Sequence, residues 1–195
     1  MKKILSFALA AMMAIPMIAS AHGPSRQKVE EKIVINASPE EVWKMVGDFG
    51  GIDKWHPAIV STILDGDKKR VLTIGEDGGP TITEELKKLD DEKMMIKYKI
   101  VDMSVVGNEE HLGKKYDVPT VPVHNYLSFI TVKAVEGGSE VTWTGKFYRV
   151  FPLNYEKTEP RYPKGLGDQD GVDVVTSIYK AGLENLKKLC EEGGC

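Results

Sequence analysis

Cysteine is scarce in this chain. There are two among 195 residues, Cys190 and Cys195, and both lie in the closing stretch "KKLCEEGGC". The spacing holds no C-x-x-C redox pair, no zinc-ligand pattern and no C-x-x-C-H haem attachment. Histidine is also sparse: His22, His56, His111 and His124 form no spaced ligand cluster, so a metal site is not indicated. Positive charge is not in excess. Lys and Arg number 26 against 29 Asp and Glu, a formal net charge of -3, which suits neither nucleic acid nor an anionic membrane surface. There is no internal repeat and no low-complexity segment. The one long apolar run, Ile4 to Ile18, is too short to span a bilayer comfortably and has no stop-transfer flank.

That run has a different reading. Lys2 and Lys3 form a basic start, the apolar stretch follows, and Ala19-Ser20-Ala21 is a small-residue cleavage site. Residues 1–21 read as a secretory signal peptide, with an uncleaved anchor as the alternative. The expectation is a periplasmic protein with no membrane insertion after cleavage. Removing Lys2 and Lys3 and no acid takes the formal charge from -3 to -5, a mildly acidic surface that suits a basic partner protein. His22 would then lead the mature chain, and an amine beside an imidazole can hold copper, but no further ligands are spaced for it. Export makes the two cysteines matter. Gly193-Gly194 lets the chain fold back, so a local disulfide and a frayed, unbonded tail are both open.

Residues 22–195 read as a single domain. Val29 to Ile35 is strand-like. In "NASPEEVWKMVGDF", Ser38 can cap a helix, Pro39 suits its first position and Glu41 completes a capping box. The helix stops at Gly50-Gly51. Strands follow at 58–64, 70–74, 81–89 and 94–101, separated by Asp- and Gly-rich turns. Residues 103–122 lack periodicity and read as a long loop or insertion. Strands 123–135 and 140–150 are joined by Glu136-Gly137-Gly138-Ser139, and residues 151–167 form a Pro- and Tyr-rich loop. From Val172 to Leu189 apolar residues recur at three and four, the mark of a long amphipathic helix. The fold class is therefore α+β: a curved antiparallel sheet of about six to seven strands around a long C-terminal helix, with a short helix after the first strand. One helix cannot cover so wide a sheet, so a hollow is expected between them.

This order, with a capped "SPEEVW" helix, a "W-H-P" segment and the terminal helix, resembles the START-like (SRPBCC, Bet v 1-like, polyketide cyclase/dehydrase-like) superfamily of helix-grip proteins. The segments "HGPSRQKVEEKIVINASPEEVW", "KWHPAIVST", "GGPTITEELKKLDDEKMMIKYKIVD", "SFITVKA" and "SEVTWTGKFYRVF" are similar to periplasmic MxaD-type methanol-oxidation accessory proteins, over residues 22–102 and 123–190. The resemblance implies a cofactor-free protein that assists methanol dehydrogenase and its cytochrome c acceptor. Its alternatives are a carrier of a small apolar ligand in the helix-grip cavity and a cyclase- or dehydratase-like enzyme. The stretch 103–122 departs from the resemblance, where a shorter connection into "PVHNY" is expected.

Within that frame Trp55 and His56 border the cavity as rim or ligand contacts, or as a structural cap of their loop. His56 could also serve as a general base, but no nucleophile stands at a readable spacing. The period of two points Met94, Ile96, Tyr98 and Ile100 inward from one strand, and Val141, Trp143, Gly145 and Phe147 from another. Tyr126, Ser128, Ile130 and Val132 share a face of the strand between them. Glu84 falls with Ile82 and Leu86 on an apolar face, where a carboxylate is costly unless paired; a register shifted by one would leave it solvated. The candidate ligand-binding residues are thus Trp55, His56, Glu84, Tyr98, Tyr126, Trp143 and Phe147, with plain core packing as the alternative for the aromatics.

Overall fold

A computed structural model describes residues 23–153 and 159–195. The signal-peptide segment 1–21 and His22 lie outside the described residues, as do residues 154–158 of the Pro-rich loop.

Nine strands and two α-helices are described: β1 (Gln27–Ile35), α1 (Pro39–Val46), β2 (Ile59–Asp65), β3 (Lys69–Ile74), β4 (Thr81–Asp90), β5 (Met95–Met103), β6 (Val105–His111), β7 (Lys114–Pro119), β8 (Val123–Val135), β9 (Gly138–Arg149) and α2 (Asp168–Glu191). Seven strands form one antiparallel sheet in the order β1-β9-β8-β5-β4-β3-β2. The α+β helix-grip expectation holds. The capping box at α1 is present as read: Ser38 Oγ accepts from the Glu41 N–H while the Glu41 carboxylate accepts from the Ser38 N–H.

The alternation read in the strands decides which side chains meet α2. Ile96 and Tyr98 on β5, Ser128, Ile130 and Val132 on β8, and Val141, Trp143 and Phe147 on β9 are all buried. Helix α2 turns Val175, Tyr179, Leu183 and Leu186 onto that face. Two glycines permit the close approach. A Cβ on Gly145 would stand 2.3 Å from the Tyr179 hydroxyl, and one on Gly182 would stand 2.5 Å from His56 Cδ2.

The segment 103–122 is not a loop. It is a separate β-hairpin, β6 paired antiparallel with β7, turned at Leu112 (φ 51°) and Gly113 (φ 73°). Two positive φ values match the two-residue turn that suits strand twist. The period-two signal is weak because the more covered face of β6 carries Gly107, Glu109 and His111 rather than aliphatic residues, while Val105, Val106 and Leu112 are exposed. An isolated two-stranded hairpin is marginal in water, and this one is tethered at both ends. At its base the Thr120 N–H donates to Ser104 O at 3.0 Å, and the Ser104 N–H to Thr81 O at 2.9 Å. Farther along, the rings of His111 and Tyr116 meet Phe151 edge-on at 5.5 and 5.0 Å.

Cys190 and Cys195 are joined as a disulfide at the end of α2. The bridge spans a sequence separation of 5, so it removes little entropy from the unfolded chain, about 2 kcal/mol at most in the chain-entropy view. Reduction is expected to leave a cooperative urea transition whose free energy falls by no more than that amount, read by circular dichroism with and without reductant.

Candidate functional site

A cavity of about 110 Å³ lies between α2 and the sheet. The turn after α1 closes one side with Ile52, His56 and Ala58; β3, β4 and β5 supply Leu72, Ile82, Glu84 and Tyr98; and α2 supplies Val175, Ile178 and Tyr179. Of the candidates read from sequence, His56, Glu84, Tyr98, Tyr126 and Trp143 line it. Trp55 and Phe147 are not among the lining residues. Trp55 is buried behind the wall, its ring edge-on to Trp143 at 5.6 Å, and Phe147 stacks on Tyr126 at 6.2 Å. Both support the cavity from outside.

His56 is 2% exposed and acts as a clamp on α2. The Ala58 N–H donates to its Nδ1 at 3.2 Å, which assigns the ring proton to Nε2, and Nε2–H donates to Ile178 O at 3.0 Å. One residue before it, Trp55 O accepts from Asn185 Nδ2 at 2.9 Å. The "KWHP" turn is thereby fastened twice to α2. Pro57 disfavours helix at His56 and sends the chain directly into β2. Burial pushes the His56 pKa below its ordinary value, against the opposing pull of the Ile178 carbonyl. With both nitrogens engaged on backbone, the imidazole has no free lone pair for a general base.

Glu84 is on the inner face, as the unshifted register required, and it is paired. Arg70 Nε and Nη2 donate to its Oε2 at 2.7 and 2.6 Å. Arg70 Nη1 donates to Phe49 O at 2.7 Å, and the guanidinium lies 4.4 Å from the Phe49 ring centre and 5.0 Å from that of Tyr98. The two residues are 2% and 6% exposed. Burial pushes the Glu84 carboxyl up from its usual range, with Arg70 pulling it back. Sequence reading placed Arg70 only at the start of a strand. A signal was present: a hairpin closed over residues 75–80 pairs Arg70 with Glu84 and Leu72 with Ile82 on one face.

The far wall carries a polar cluster centred on Ser128. Its hydroxyl donates to Thr144 O at 2.9 Å and receives Trp143 Nε1–H at 2.9 Å. Tyr179 contacts Ser128 Oγ at 3.0 Å and hydrogen-bonds to Tyr126, and Trp143 Nε1 also reaches the Tyr98 hydroxyl at 3.0 Å. Burial holds the phenols of Tyr98, Tyr126 and Tyr179 well above their ordinary pKa, so they stay protonated. Tyr179 was read as one apolar position on a helix face; its hydroxyl role depends on α2 lying across β8 and β9. No hydrogen bond among the described residues joins His56 to Glu84 or to a tyrosine. Among the described residues no group of three or more His, Cys, Asp or Glu is placed to hold a metal, and no helix is long and apolar enough to cross a membrane.

A helix-grip cavity with a polar end is thus the site. Residues 26–191 match the family described as "Polyketide cyclase / dehydrase and lipid transport". The chain belongs to this family. The polyketide cyclase fold is also seen in solved structures. An uncharacterized protein from Bacillus thuringiensis is 28% identical, with a TM-score of 0.60 over 84% of this chain and 97% of its own. The protein XoxI from Bacillus cereus is 28% identical, with a TM-score of 0.60 over 84% and 94%. Ara h 8.0201, at 18% identity and a TM-score of 0.55 over 84% and 97%, shares the fold. No curated protein matches the chain.

Two outcomes test this cyclase-family site. Arg70→Met should cost about 3–5 kcal/mol, because Glu84 is left as an uncompensated buried charge; Arg70→Met with Glu84→Leu should recover most of it. Denaturant titration of both variants measures the difference. For His56 the neutral form is favoured in the fold, so unfolding takes up a proton below the ordinary histidine pKa. Stability should therefore fall as pH drops below about 6.5, by at most about 1.4 kcal/mol per pH unit from this residue. His56→Gln, which keeps a donor for Ile178 O, should remove that component from the stability–pH profile.

Proposed function

We propose that this chain is an exported binding protein that holds a small ligand without turning it over, and serves periplasmic methanol oxidation as an accessory to the dehydrogenase and its cytochrome c acceptor. The observation that carries the binding half is the cavity, with five of the seven sequence-read residues on its wall. Its volume of about 110 Å³ is below the roughly 300–1,000 Å³ of ordinary ligand sites and below a benzene-sized void of about 150 Å³. That favours a ligand of a few heavy atoms over a lipid or a polyketide. The non-catalytic half is supported by His56, whose ring nitrogens are both bonded to backbone. Support for export comes from the leader-like residues 1–21. The methanol-oxidation assignment is supported by the similarity of "KWHPAIVST" and "SEVTWTGKFYRVF" to the accessory proteins named above.

Native mass spectrometry on the protein isolated from periplasm, before and after organic extraction, tests both halves. The expected result is a small mass lost on extraction, together with co-migration of a dehydrogenase or a cytochrome c. A bound lipid would overturn the small-ligand reading, and isolation free of any redox partner would overturn the accessory role. His56→Ala should weaken ligand or partner affinity. If a turnover were found that this variant abolished with the fold intact, the non-catalytic reading would fall.

A further inference from the structure

Hydrogen-bond accounting in the cavity wall leaves two groups over. Four hydroxyl protons belong to Ser128, Tyr98, Tyr126 and Tyr179, and Trp143 adds one N–H. Thr144 O can only accept, so it takes the Ser128 proton. Ser128 Oγ must then accept from both Trp143 and Tyr179, which fills its two lone pairs. With its own proton committed to Ser128, Tyr179 accepts the proton of Tyr126. Besides Trp143 Nε1–H, a donor, the Tyr98 hydroxyl reaches only Ser128, whose lone pairs are both taken. Its own proton is without an acceptor among these contacts, and Tyr98 lines the cavity.

The second group is an acceptor. Both Arg70 contacts go to Glu84 Oε2. No protein donor is found for Oε1 among the described residues, and Glu84 also lines the cavity. Arg70, by contrast, is not a lining residue; Phe49 O and the rings of Phe49 and Tyr98 enclose it. The cavity therefore presents one spare donor and one carboxylate acceptor, with no cation facing in. Tyr98 and Glu84 lie on the inner face of adjacent strands, Glu84 opposite Ile100 and Leu86 opposite Tyr98. The remaining lining is largely Ile, Leu and Val, including Ile52, Ile59, Leu72, Ile82 and Val175.

We propose that the cavity binds a short-chain alcohol, whose hydroxyl oxygen accepts from the Tyr98 O–H, whose hydroxyl hydrogen goes to Glu84 Oε1, and whose alkyl part fills the apolar remainder. A hydroxyl is the smallest group that meets both needs, and a volume of about 110 Å³ leaves little room for two separate polar groups. An anion would face the Glu84 carboxylate with no cation to hold it. This proposal rests on the reading above that the cavity is used.

The test compares 2-propanol with acetone, which has nearly the same size and shape but only accepts. Each is titrated into the purified protein while the Trp143 indole N–H is followed by NMR. That proton sits between Ser128 and Tyr98, so it reports on the polar end directly. A saturable shift is expected for 2-propanol, with acetone at least about fivefold weaker, because a site built to bond a hydroxyl rejects the analogue without one. Tyr98→Phe removes one hydroxyl and should weaken both ligands several-fold. Glu84→Gln places an amide donor where the acceptor was, and should reverse the preference toward acetone. Should that variant fail to fold, Tyr98→Phe still decides, since Trp143 keeps Ser128 as its acceptor. Equal affinities for the two ligands, or an unchanged 2-propanol affinity in Tyr98→Phe, would overturn the alcohol assignment while leaving the cavity in use. The absence of any saturable shift with either ligand would overturn the use of the cavity itself.

Discussion

The buried Arg70–Glu84 pair is the constraint to which the rest of the structure is tied. Two opposite charges at 2.6 Å, almost entirely removed from water, are tolerated only if the arginine's further donor capacity is met. Meeting it recruits four parts of the fold. Strands β3 and β4 must be in the register that sets Arg70 opposite Glu84. The chain leaving α1 must bring Phe49 O to Nη1 and the Phe49 ring over the guanidinium. Strand β5 must turn Tyr98 inward to close the other face. A one-residue slip anywhere in this part of the sheet would move a charge to the wrong face, so the pair acts as a register pin as well as a cavity wall.

The pair also shapes what the cavity can recognise. Because Arg70 faces away, the positive member is sequestered and the negative member is half-presented. Opposite it stands a set of neutral phenols held protonated by burial. On the proposal above, selection would rest on the direction of hydrogen bonds rather than on net charge. This is a different solution from the wide, apolar hollow that the same helix-grip layout can provide, and the reason lies in side-chain volume. Trp143, Tyr98, Tyr126 and Tyr179 converge on the space between α2 and the sheet and fill much of it.

Besides its apolar face, helix α2 is held by polar bonds spread along its length. His56 and Trp55 fasten its middle through Ile178 and Asn185, while Lys187 donates to Val34 O and Glu191 accepts from the Asn36 N–H near its end. At its start Arg149 Nη1 bonds to Asp168 at 2.9 Å and its Nε bonds to Phe151 O at 2.8 Å. The β6–β7 hairpin leans on Phe151, which Arg149 ties to the start of the helix.

Much of this was legible in the chain itself. Period-two patterns in 94–101, 123–135 and 140–150, the Ser38–Glu41 capping box and the three-and-four spacing after Val172 determined the strands, the short helix and the inward faces, because each is a local signal. Glu84 was identifiable as an anomaly on an apolar face. Its partner was not identified, since pairing is a property of register between strands. The hairpin at 105–119 went unread because its more covered face carries Gly107, Glu109 and His111, so no hydrophobic alternation marks it. Whether Trp55 or His56 would line the cavity, and that Tyr179 would join Ser128 in a polar cluster, depended on where α2 crosses the sheet. Local sequence set which side chains point inward; only tertiary packing decided which of them meet, because the contacts that select proton donors, acceptors and cavity volume join residues as far apart as His56 and Ile178.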